Sequence, residues 1–342
     1  MKLPEPRTLD PHEAPGIRWG VLGPGGIAHT FADAVAVGTA STVTAVGSRS
    51  IERARAFAAE FGIERPHGSY EALVADEGVD AIYVASPHSE HHAHALLAIG
   101  AGKPVLVEKA FTRGAAQARE VFAAADDRGL LVAEAMWSRY LPHYDVVSQA
   151  VESGLIGEVT TVFADHGQYL HPNGPARLSQ PGLAGGALLD LGVYPISFAD
   201  HVLGPATSVH AAGTLTDLGV DATTSIIVTN AAGAHGVLSC TMAAATPCTA
   251  VVSGTAGRVE LSSTFYGAAS VRLFDRGHHL VDERPGGFAD DVRGFSYEAA
   301  EFARALVAGR RETTTMPWAA TLRVMETMDE VRRQVGVSYP GE

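Results

Sequence analysis

The sequence predicts an α/β protein with an N-terminal doubly wound parallel sheet and a C-terminal α+β domain built on an open, mostly antiparallel sheet. Three observations predict this. Short apolar runs alternate with helical patterns from Ile17 to about Ala135, which is typical of a parallel sheet with crossover helices. After about Val151, strand-like segments follow one another with few helices between them. The length of 342 residues corresponds to two domains at about 150 residues each.

Residues 17–139 are predicted to form the first domain. Five runs rich in Val and Ile and bounded by Gly, Pro or polar residues are predicted strands: 17–22, 42–48, 80–85, 104–107 and 130–133. The helical patterns between them, with Ser50 as an N-cap and Gly129 as a C-terminal stop, cover 27–37, 50–61, 90–99 and 113–128. Residues 1–16 precede the first strand and carry Pro and acidic residues where a signal peptide has an apolar core. We expect them to form a flexible or loosely docked arm.

Residues 140–342 are predicted to form the second domain, for substrate binding and oligomerisation. Its predicted strands are 159–167, 208–215, 223–229, 235–242, 249–254, 258–261, 271–274 and 279–282. One early helix is expected at 186–203 and two late helices at 297–308 and 318–335.

Charge and composition exclude several classes of function. The formal net charge is −13, which argues against broad binding to nucleic acid or to an anionic membrane surface, because both require a basic face. Cys240 and Cys248 are too few for a disulfide scaffold or a cysteine-rich zinc site. No apolar run reaches about 18 residues, so no membrane span is expected. These features are typical of a cytoplasmic protein.

A glycine-rich turn follows the first strand and opens the first helix. Its residues Gly23, Pro24, Gly25, Gly26, Ile27 and Ala28 fit the pattern G-x-G-x-x-A. In such a turn the first glycine allows a tight bend, the second lets the backbone approach a pyrophosphate, and the helix N-terminus faces the phosphates. The alternative is an ordinary strand–helix turn. The strand–helix repeats that follow favour a Rossmann dinucleotide site.

The end of the second strand indicates which dinucleotide is bound. An NAD site usually has an acidic residue there, which accepts from the ribose 2′-OH. This chain has Ser48 and Arg49 instead, with Arg53 one helical turn further on. These side chains can donate to a 2′-phosphate, and Arg49 can stack on adenine. The sequence therefore favours NADP over NAD. The alternative is that Arg49 is a solvated turn residue.

Further motifs extend the pattern over nearly the whole chain. They are Ser86-Pro87-His88-x-x-His91, Glu108-Lys109, Glu134–Arg139, the run Gly185–Tyr194 (GGALLDLGVY), Val252–Gly257 and Ser296–Ala299. In this order they resemble the Gfo/Idh/MocA oxidoreductases, and within them the group of dimeric dihydrodiol dehydrogenases and NADP-dependent D-xylose dehydrogenases. The resemblance implies a Rossmann domain, then an open antiparallel sheet, with the active site between them. One departure is Ala110, which stands where the family motif Glu-Lys-Pro has proline.

The resemblance implies that Lys109 and Tyr194 are catalytic. Hydride transfer to nicotinamide requires removal of a proton from the substrate hydroxyl. The reference pKa of a tyrosine is about 10, and a nearby ammonium lowers such a pKa. Tyr194 is therefore expected to be the acid/base, and Lys109, after a parallel strand, to support it and to bind the substrate oxygen. The alternatives are a surface lysine and a core tyrosine.

The remaining candidates surround these two residues. Asp190 lies four residues before Tyr194, so both are expected on one helical face, although Asp190 could instead cap the helix. The expected substrate contacts are Lys109, Trp137, His166, Arg177, Asp190 and Tyr194. The expected cofactor contacts beyond the glycine-rich turn are Ser48, Arg49, Arg53, Ser86, Pro87, His88, His91, Glu108, Lys109, Trp137 and Tyr297. Trp137 could alternatively be a core aromatic, and Tyr297 could only pack the final helices.

No metal is expected at the histidine tract. A helix puts His88, His91 and His92 on one side and His94 elsewhere, and no acidic ligands converge there.

The sequence thus predicts an NADP-dependent oxidoreductase that transfers a hydride between nicotinamide and a carbinol of a sugar or of a cyclic vicinal diol. Two alternatives stay open: a glycosidase-like enzyme that retains its dinucleotide, and a non-catalytic dinucleotide-sensing scaffold. The expected partners are a small-molecule substrate and, through the C-terminal sheet, a second copy or three further copies of the chain, because an exposed apolar sheet face requires covering. Nucleic acid and membrane are not expected partners.

Overall fold

The computed structural model describes residues 2–340, so the first residue of the predicted arm and the last two of the predicted second domain lie outside it. The helices are α1 Gly26–Gly38, α2 Ile51–Phe61, α3 Tyr70–Val74, α4 His91–Gly100, α5 Ala115–Arg128, α6 Pro142–Glu152, α7 Val193–Leu203, α8 Gly294–Val307 and α9 Trp318–Val335. The strands are β1 Arg18–Leu22, β2 Thr42–Gly47, β3 Arg65–His67, β4 Ala81–Val84, β5 Val105–Glu108, β6 Val132–Ala135, β7 Val159–Gly167, β8 Ala206–Leu215, β9 Asp221–Asn230, β10 His235–Thr241, β11 Ala250–Gly254, β12 Gly257–Leu261, β13 Val271–Asp275 and β14 Leu280–Arg284.

The chain divides into two compact units. The dinucleotide unit comprises Leu9–Tyr140 and Phe288–Leu322, and the sheet unit comprises Met1–Thr8, Leu141–Gly287 and Arg323–Glu342. The boundary between Tyr140 and Leu141 lies one residue after the expected one between residues 139 and 140. The later return of α8 to the dinucleotide unit was not expected, because a helix that follows eight strands in sequence carries no local sign of the unit against which it packs.

The dinucleotide unit contains a six-stranded parallel sheet in the order β3-β2-β1-β4-β5-β6. Trp19, Phe31 and Tyr83 are fully buried in its core, and the rings of Phe31 and Tyr83 stack with their centroids 3.7 Å apart. The sheet order places the carboxyl ends of β1, β4, β5 and β6 side by side at one edge. In open parallel sheets of this kind, ligands bind outside that edge.

The sheet unit contains eight strands in the order β14-β13-β12-β11-β7-β10-β9-β8. All neighbours are antiparallel except β7 and β10, which are parallel. Residues of β7 alternate between a buried face, against which α7 packs, and a more exposed face. The predicted architecture of an open, mostly antiparallel sheet is confirmed.

Three elements were not predicted. The strand β3 has the sequence Arg-Pro-His, which has no apolar alternation, and α3 has only five residues. The helix α6 begins with Pro142 at its first position. A proline there is compatible with a helix, but in the sequence it resembles a boundary.

The predicted N-terminal arm is held by specific contacts. Leu3 is buried and its N–H donates to Asp282 at 2.8 Å. The guanidinium of Arg7 pairs with Asp145, with 2.6 Å between Nη2 and Oδ1. These partners lie more than a hundred residues away in the sequence, so local composition gave no sign of them.

One segment, Pro181–Leu203, is long and apolar enough to cross a membrane by length and composition. Most of it is buried within the protein, with 89% of its most apolar stretch enclosed. This is typical of a core segment.

Candidate active site

The glycine-rich turn lies at the carboxyl edge of the parallel sheet. Gly23 has a φ of +94°, and a Cβ at this residue would lie 3.3 Å from the carbonyl oxygen of Ala85. This position therefore requires glycine for a backbone reason. The N–H of Gly23 donates to the carbonyl of Gly47 at 3.1 Å, which joins the turn to the end of β2.

The next two glycines leave open space in front of α1. A Cβ at Gly25 would meet only the Ala85 carbonyl oxygen at 3.9 Å, and one at Gly26 would meet nothing within 4 Å. No side chain caps the helix at Gly25. Packing within the protein therefore does not require glycine at these two positions. An anion bound to the unsatisfied N–H groups of the helix N-terminus would require it, because the anion would occupy the space of a Cβ. The residues of the turn therefore fit a dinucleotide pyrophosphate.

The residues after β2 form the expected second contact region. Ser48 is buried, and its Oγ accepts the N–H of Ser50 at 3.2 Å, so its O–H can still donate. Arg49 is exposed. Arg53 lies on α2, and its Nη2 is 3.5 Å from the carbonyl oxygen of Pro24. Arg53 thus lies beside the glycine-rich turn, and the exposed Arg49 follows β2 where an NAD site usually has an acidic residue.

The four histidines after β4 do not converge on one point. His91 is fully buried, with Nδ1 2.9 Å from the carbonyl oxygen of Ala110 and Nε2 2.8 Å from that of Ser86. Burial lowers the pKa of His91 to about 4. His88 Nε2 lies 3.2 Å from the carbonyl of Lys109, whereas His92 pairs with Glu120. His94 Nδ1 lies 2.9 Å from Ser86 Oγ.

His91 was expected to contact the cofactor, but its side chain has no exposed surface to offer a ligand. Its ring instead joins the backbone after β4 to the backbone after β5. Pro87 is exposed beside it, and Ser86 is half-buried. Among residues 2–340, no group of three or more His, Cys, Asp or Glu side chains could hold a metal ion.

Lys109 lies in a short backbone segment after β5, the lysine loop, which comprises Lys109, Ala110 and Phe111. The Lys109–Ala110 peptide bond is cis. The N–H of Lys109 donates to Glu108 Oε2 at 3.2 Å, and the N–H of Phe111 donates to Glu134 Oε1 at 3.2 Å. His88 and His91 contact the carbonyls of Lys109 and Ala110, so the side chains of two glutamates and two histidines hold this loop.

Two further expected cofactor contacts lie near α8. Trp137 is half-buried and stacks on Phe295, with 4.9 Å between ring centroids. A Cβ at Gly294 would come within 2.5 Å of the Trp137 ring, so this glycine admits the tryptophan. Tyr297 is half-buried beside Phe288, with a centroid distance of 5.9 Å, and burial raises its pKa.

The sheet unit contributes the tyrosine. A π-helical turn, Leu188–Gly192, leads directly into α7, which begins at Val193. Tyr194 has 6% of its surface exposed. Its ring packs on those of His166 and Tyr266, at centroid distances of 5.1 Å and 4.6 Å. π-Turns occur frequently at functional sites, and this one sets the direction of the residues before Tyr194.

Three expected substrate contacts lie in the same unit. Asp190 is buried within the π-turn and accepts from Arg177 Nη2 at 3.1 Å. It does not cap the helix, because the helical backbone begins before it. His166 is buried on β7, and its Nε2 is 2.9 Å from Gln168 Nε2.

Two family models match the chain: the oxidoreductase family with an NAD-binding Rossmann fold over residues 17–136, and the GFO/IDH/MocA C-terminal domain over residues 144–260. A trans-1,2-dihydrobenzene-1,2-diol dehydrogenase of Mus musculus is 33% identical over 332 residues, which cover 95% of this chain and 98% of that protein. The chain belongs to the Gfo/Idh/MocA oxidoreductase family. The predicted family and fold are confirmed.

Another relative and two solved structures are also similar to this chain. A D-xylose 1-dehydrogenase (NADP(+)) of Hypocrea jecorina is 35% identical over 95% of this chain and 93% of that protein. A 3-ketoreductase from Actinomadura kijaniata, solved with NADP and TDP-benzene, has a TM-score of 0.83 at 30% identity and covers 94% of this chain and 98% of its own. An aldose-aldose oxidoreductase from Caulobacter crescentus, at 23% identity and a TM-score of 0.85, covers 94% of this chain and 98% of that chain, and supports the fold alone.

Sequence analysis did not identify three residues that shape the site. Tyr266 stacks on His166 at 4.1 Å, but it lies among small and polar residues that resemble a loop. Asp221 is fully buried, and its Oδ2 accepts the N–H of Leu188 at 2.7 Å, so it holds the start of the π-turn. Glu134 holds the lysine loop. Only Glu134, within the motif Glu134–Arg139, carried a sequence signal.

Proposed function

We propose that this protein is an NADP-dependent oxidoreductase that transfers a hydride between nicotinamide and a carbinol of a sugar or of a cyclic vicinal diol. The observation that carries the proposal is the position of Lys109. It follows β5 at the carboxyl edge of the sheet where the glycine-rich turn follows β1. A side chain at that edge lies where dinucleotides bind in open parallel sheets.

The choice of NADP rests on the end of β2. Arg49 and Arg53 supply positive charge there, and the O–H of Ser48 can donate. A 2′-phosphate gains from both charge and donors, whereas a ribose 2′-OH requires an acceptor. The 35% identity to a D-xylose 1-dehydrogenase (NADP(+)) supports the same choice of cofactor.

Tyr194 is the proposed acid/base. Bound nicotinamide supplies the hydride acceptor or donor. During oxidation Tyr194 takes the proton from the substrate hydroxyl, and during reduction it returns that proton to the carbonyl oxygen. The ammonium of Lys109 stabilises the negative charge that develops on that oxygen. The pair of Asp190 and Arg177 presents an acceptor and a donor for neighbouring hydroxyl groups.

The substrate class follows from the surroundings of Tyr194. Tyr266 is half-exposed and its ring packs on that of Tyr194, so it offers an aromatic face to a ring-shaped substrate. A pyranose and a cyclic trans-diol both present a ring with adjacent hydroxyl groups. The relatives named for D-xylose and for a dihydrodiol support the same two substrates.

The first test measures turnover directly. The purified protein is given NADP with D-xylose or with trans-1,2-dihydrobenzene-1,2-diol, and NADPH formation is followed by absorbance. Tyr194→Phe and Lys109→Met are each expected to lower kcat at least ~100-fold. Matched controls are Tyr169→Phe and Lys2→Met, at exposed residues, which are expected to retain wild-type rates. Wild-type turnover in Tyr194→Phe would refute its role.

A second candidate substrate is a 3-keto sugar linked to a nucleoside diphosphate. It is favoured by the likeness to the 3-ketoreductase solved with TDP-benzene. The same assay run with NADPH and such a keto sugar decides between the two. Cofactor that purifies with the protein and is not consumed would instead favour the glycosidase-like alternative.

We further propose that the exposed face of the eight-stranded sheet binds a second copy of the chain. Phe163, Val237 and Ile227 are direct neighbours across β7, β10 and β9. They are 48%, 39% and 45% exposed, and they border a shallow cavity of about 650 Å³. A contiguous apolar face on a sheet is stabilised when it is covered.

Sedimentation velocity tests this interface. Val237→Glu is expected to shift the protein from dimer, or from tetramer, toward monomer. Val307→Glu, at another exposed valine, is the control and is expected to change nothing. A wild-type protein that sediments as a monomer would refute the proposal.

We also propose a cytoplasmic location.

A further inference from the structure

Three glutamates are buried together in the dinucleotide unit, and only Glu108 was expected at the site. Glu108 ends β5, Glu134 lies on the neighbouring strand β6, and Glu298 lies on α8. Glu134 and Glu298 have 0% exposed surface, and Glu108 has 4%. The charges of Glu108 and Glu134 both act on Glu298. We call these three residues the glutamate cluster.

Two members of the cluster hold the lysine loop. Glu108 accepts the N–H of Lys109, and Glu134 accepts the N–H of Phe111, each at 3.2 Å. Phe111 is itself fully buried. Because the Phe111 amide is enclosed with the side chain, loss of the Glu134 oxygen would leave a buried donor without a partner. Such a loss destabilises the conformation that requires it.

The groups that face the cluster limit how many of its members can be charged. Tyr83 on β4 donates to Glu108, and the buried Arg139 after β6 attracts Glu134. The Tyr140 phenol also lies within electrostatic reach. Neither oxygen of Glu298 has a hydrogen-bond partner among residues 2–340.

Burial raises the pKa of Glu134 to about 7 and that of Glu298 well above its usual value. Like charges in a buried site are not ionised together. The cluster therefore retains at least one proton at neutral pH.

We propose that Glu134 is a positioning residue for Lys109: its carboxyl oxygen anchors the backbone of the lysine loop, and the protonation of the glutamate cluster sets the strength of that anchor. An ionised carboxylate is a stronger acceptor for an amide than a neutral carboxyl group. The loop is therefore held more firmly as Glu134 loses its proton. The catalytic consequence rests on the proposed function, whereas the anchoring itself does not.

Amide hydrogen exchange at Phe111, corrected for the intrinsic rate, measures the anchor directly. In the wild-type protein the protection of this amide is expected to rise several-fold between pH 6 and pH 8. Glu134→Gln retains an acceptor oxygen that cannot ionise, so its protection is expected to match the wild type at pH 6 and to show no rise. Glu134→Leu is expected to lose protection ~10-fold.

The matched control is Glu298→Gln, which alters the cluster without touching a loop amide. It is expected to retain the rise in protection over the same pH range, because burial raises the pKa of Glu298 and keeps its side chain neutral there. In turnover assays, Glu134→Leu is expected to lower kcat ~10-fold with NADPH affinity within about threefold of the wild type, since the glycine-rich turn is unchanged. Glu134→Gln is expected to restore kcat at pH 6.

Two outcomes overturn the proposal. One is wild-type protection of Phe111 in Glu134→Leu. The other is an unchanged pH dependence of that protection in Glu134→Gln, which decides the question even if the leucine variant does not fold. If the wild-type protein turns over neither sugars, diols nor keto sugars, the proposed function fails. The exchange measurement still decides whether Glu134 anchors the loop.

Discussion

Asp221→Asn is expected to remove one contribution to the pH dependence of the free energy of unfolding. Asp221 is fully buried and accepts the N–H of Leu188 at the start of the π-turn. Burial raises its pKa from 3.8 to about 6. The folded state therefore retains a proton that the unfolded state releases, so the free energy of unfolding falls as pH rises from about 4 to about 6.

The magnitude follows from the difference between the two pKa values. A shift of about two units corresponds to ~3 kcal/mol, since each unit is worth about 1.4 kcal/mol. Asparagine retains an acceptor oxygen for Leu188 but does not ionise. The difference in unfolding free energy between variant and wild type is therefore expected to move by ~3 kcal/mol in favour of the variant between pH 4 and pH 7.

Urea unfolding of both proteins, followed by circular dichroism at four or five pH values, provides the assay. Comparison of the two proteins cancels the contributions of the buried histidines, whose pKa values are lowered and whose effect has the opposite sign. A difference that is constant over this pH range, or that moves in favour of the wild type, would refute the reasoning. Asp221→Ala, which leaves the Leu188 amide unpaired, is expected to be less stable than Asp221→Asn at every pH.

Three further predictions concern the cofactor turn and the histidines. Arg49→Asp is expected to weaken NADPH binding at least ~10-fold and to leave NADH binding nearly unchanged. Quenching of tryptophan fluorescence measures both affinities. Equal losses of affinity for the two cofactors would contradict the role of Arg49 in binding the 2′-phosphate. Gly25→Ala is expected to change the free energy of unfolding by under ~1 kcal/mol, because the new Cβ meets nothing closer than 3.9 Å. The same variant is expected to bind NADPH more weakly. An unchanged affinity for NADPH would show that Gly25 is not part of the cofactor site. Burial lowers the pKa of His143 from 6.5 to about 4, so stability is lost as pH falls through that range. His143→Gln is expected to remove ~3 kcal/mol of that loss in urea unfolding, and a loss that persists in full would contradict this assignment.

Local patterns were sufficient for the architecture. The alternation of apolar runs and helices predicted five of the six parallel strands, and the turn-bounded runs after residue 151 predicted all eight strands of the second sheet. The turn from Gly23 to Gly26 was recognisable because backbone geometry and helix start coincide within a few residues. Such signals survive in one sequence because each depends on near neighbours.

The roles of particular side chains required the folded structure. His91 belongs to a motif that suggests cofactor binding, yet it is enclosed and bonds to two backbone carbonyls. Asp221 lies thirty-three positions from the amide that it holds. No spacing rule relates such positions, because a buried polar contact is created by the packing of elements that are distant in sequence.

The sequence by itself determined the fold class, the family and the edge of the sheet where the glycine-rich turn and Lys109 lie, since periodicity and turn chemistry act over short distances. Only the tertiary structure decided which groups are buried together: the rings of His166 and Tyr266 with that of Tyr194, and the three glutamates behind the lysine loop. The physical reason is that burial sets both the free energy and the protonation of polar groups. Burial is a property of the packed chain and not of any segment within it.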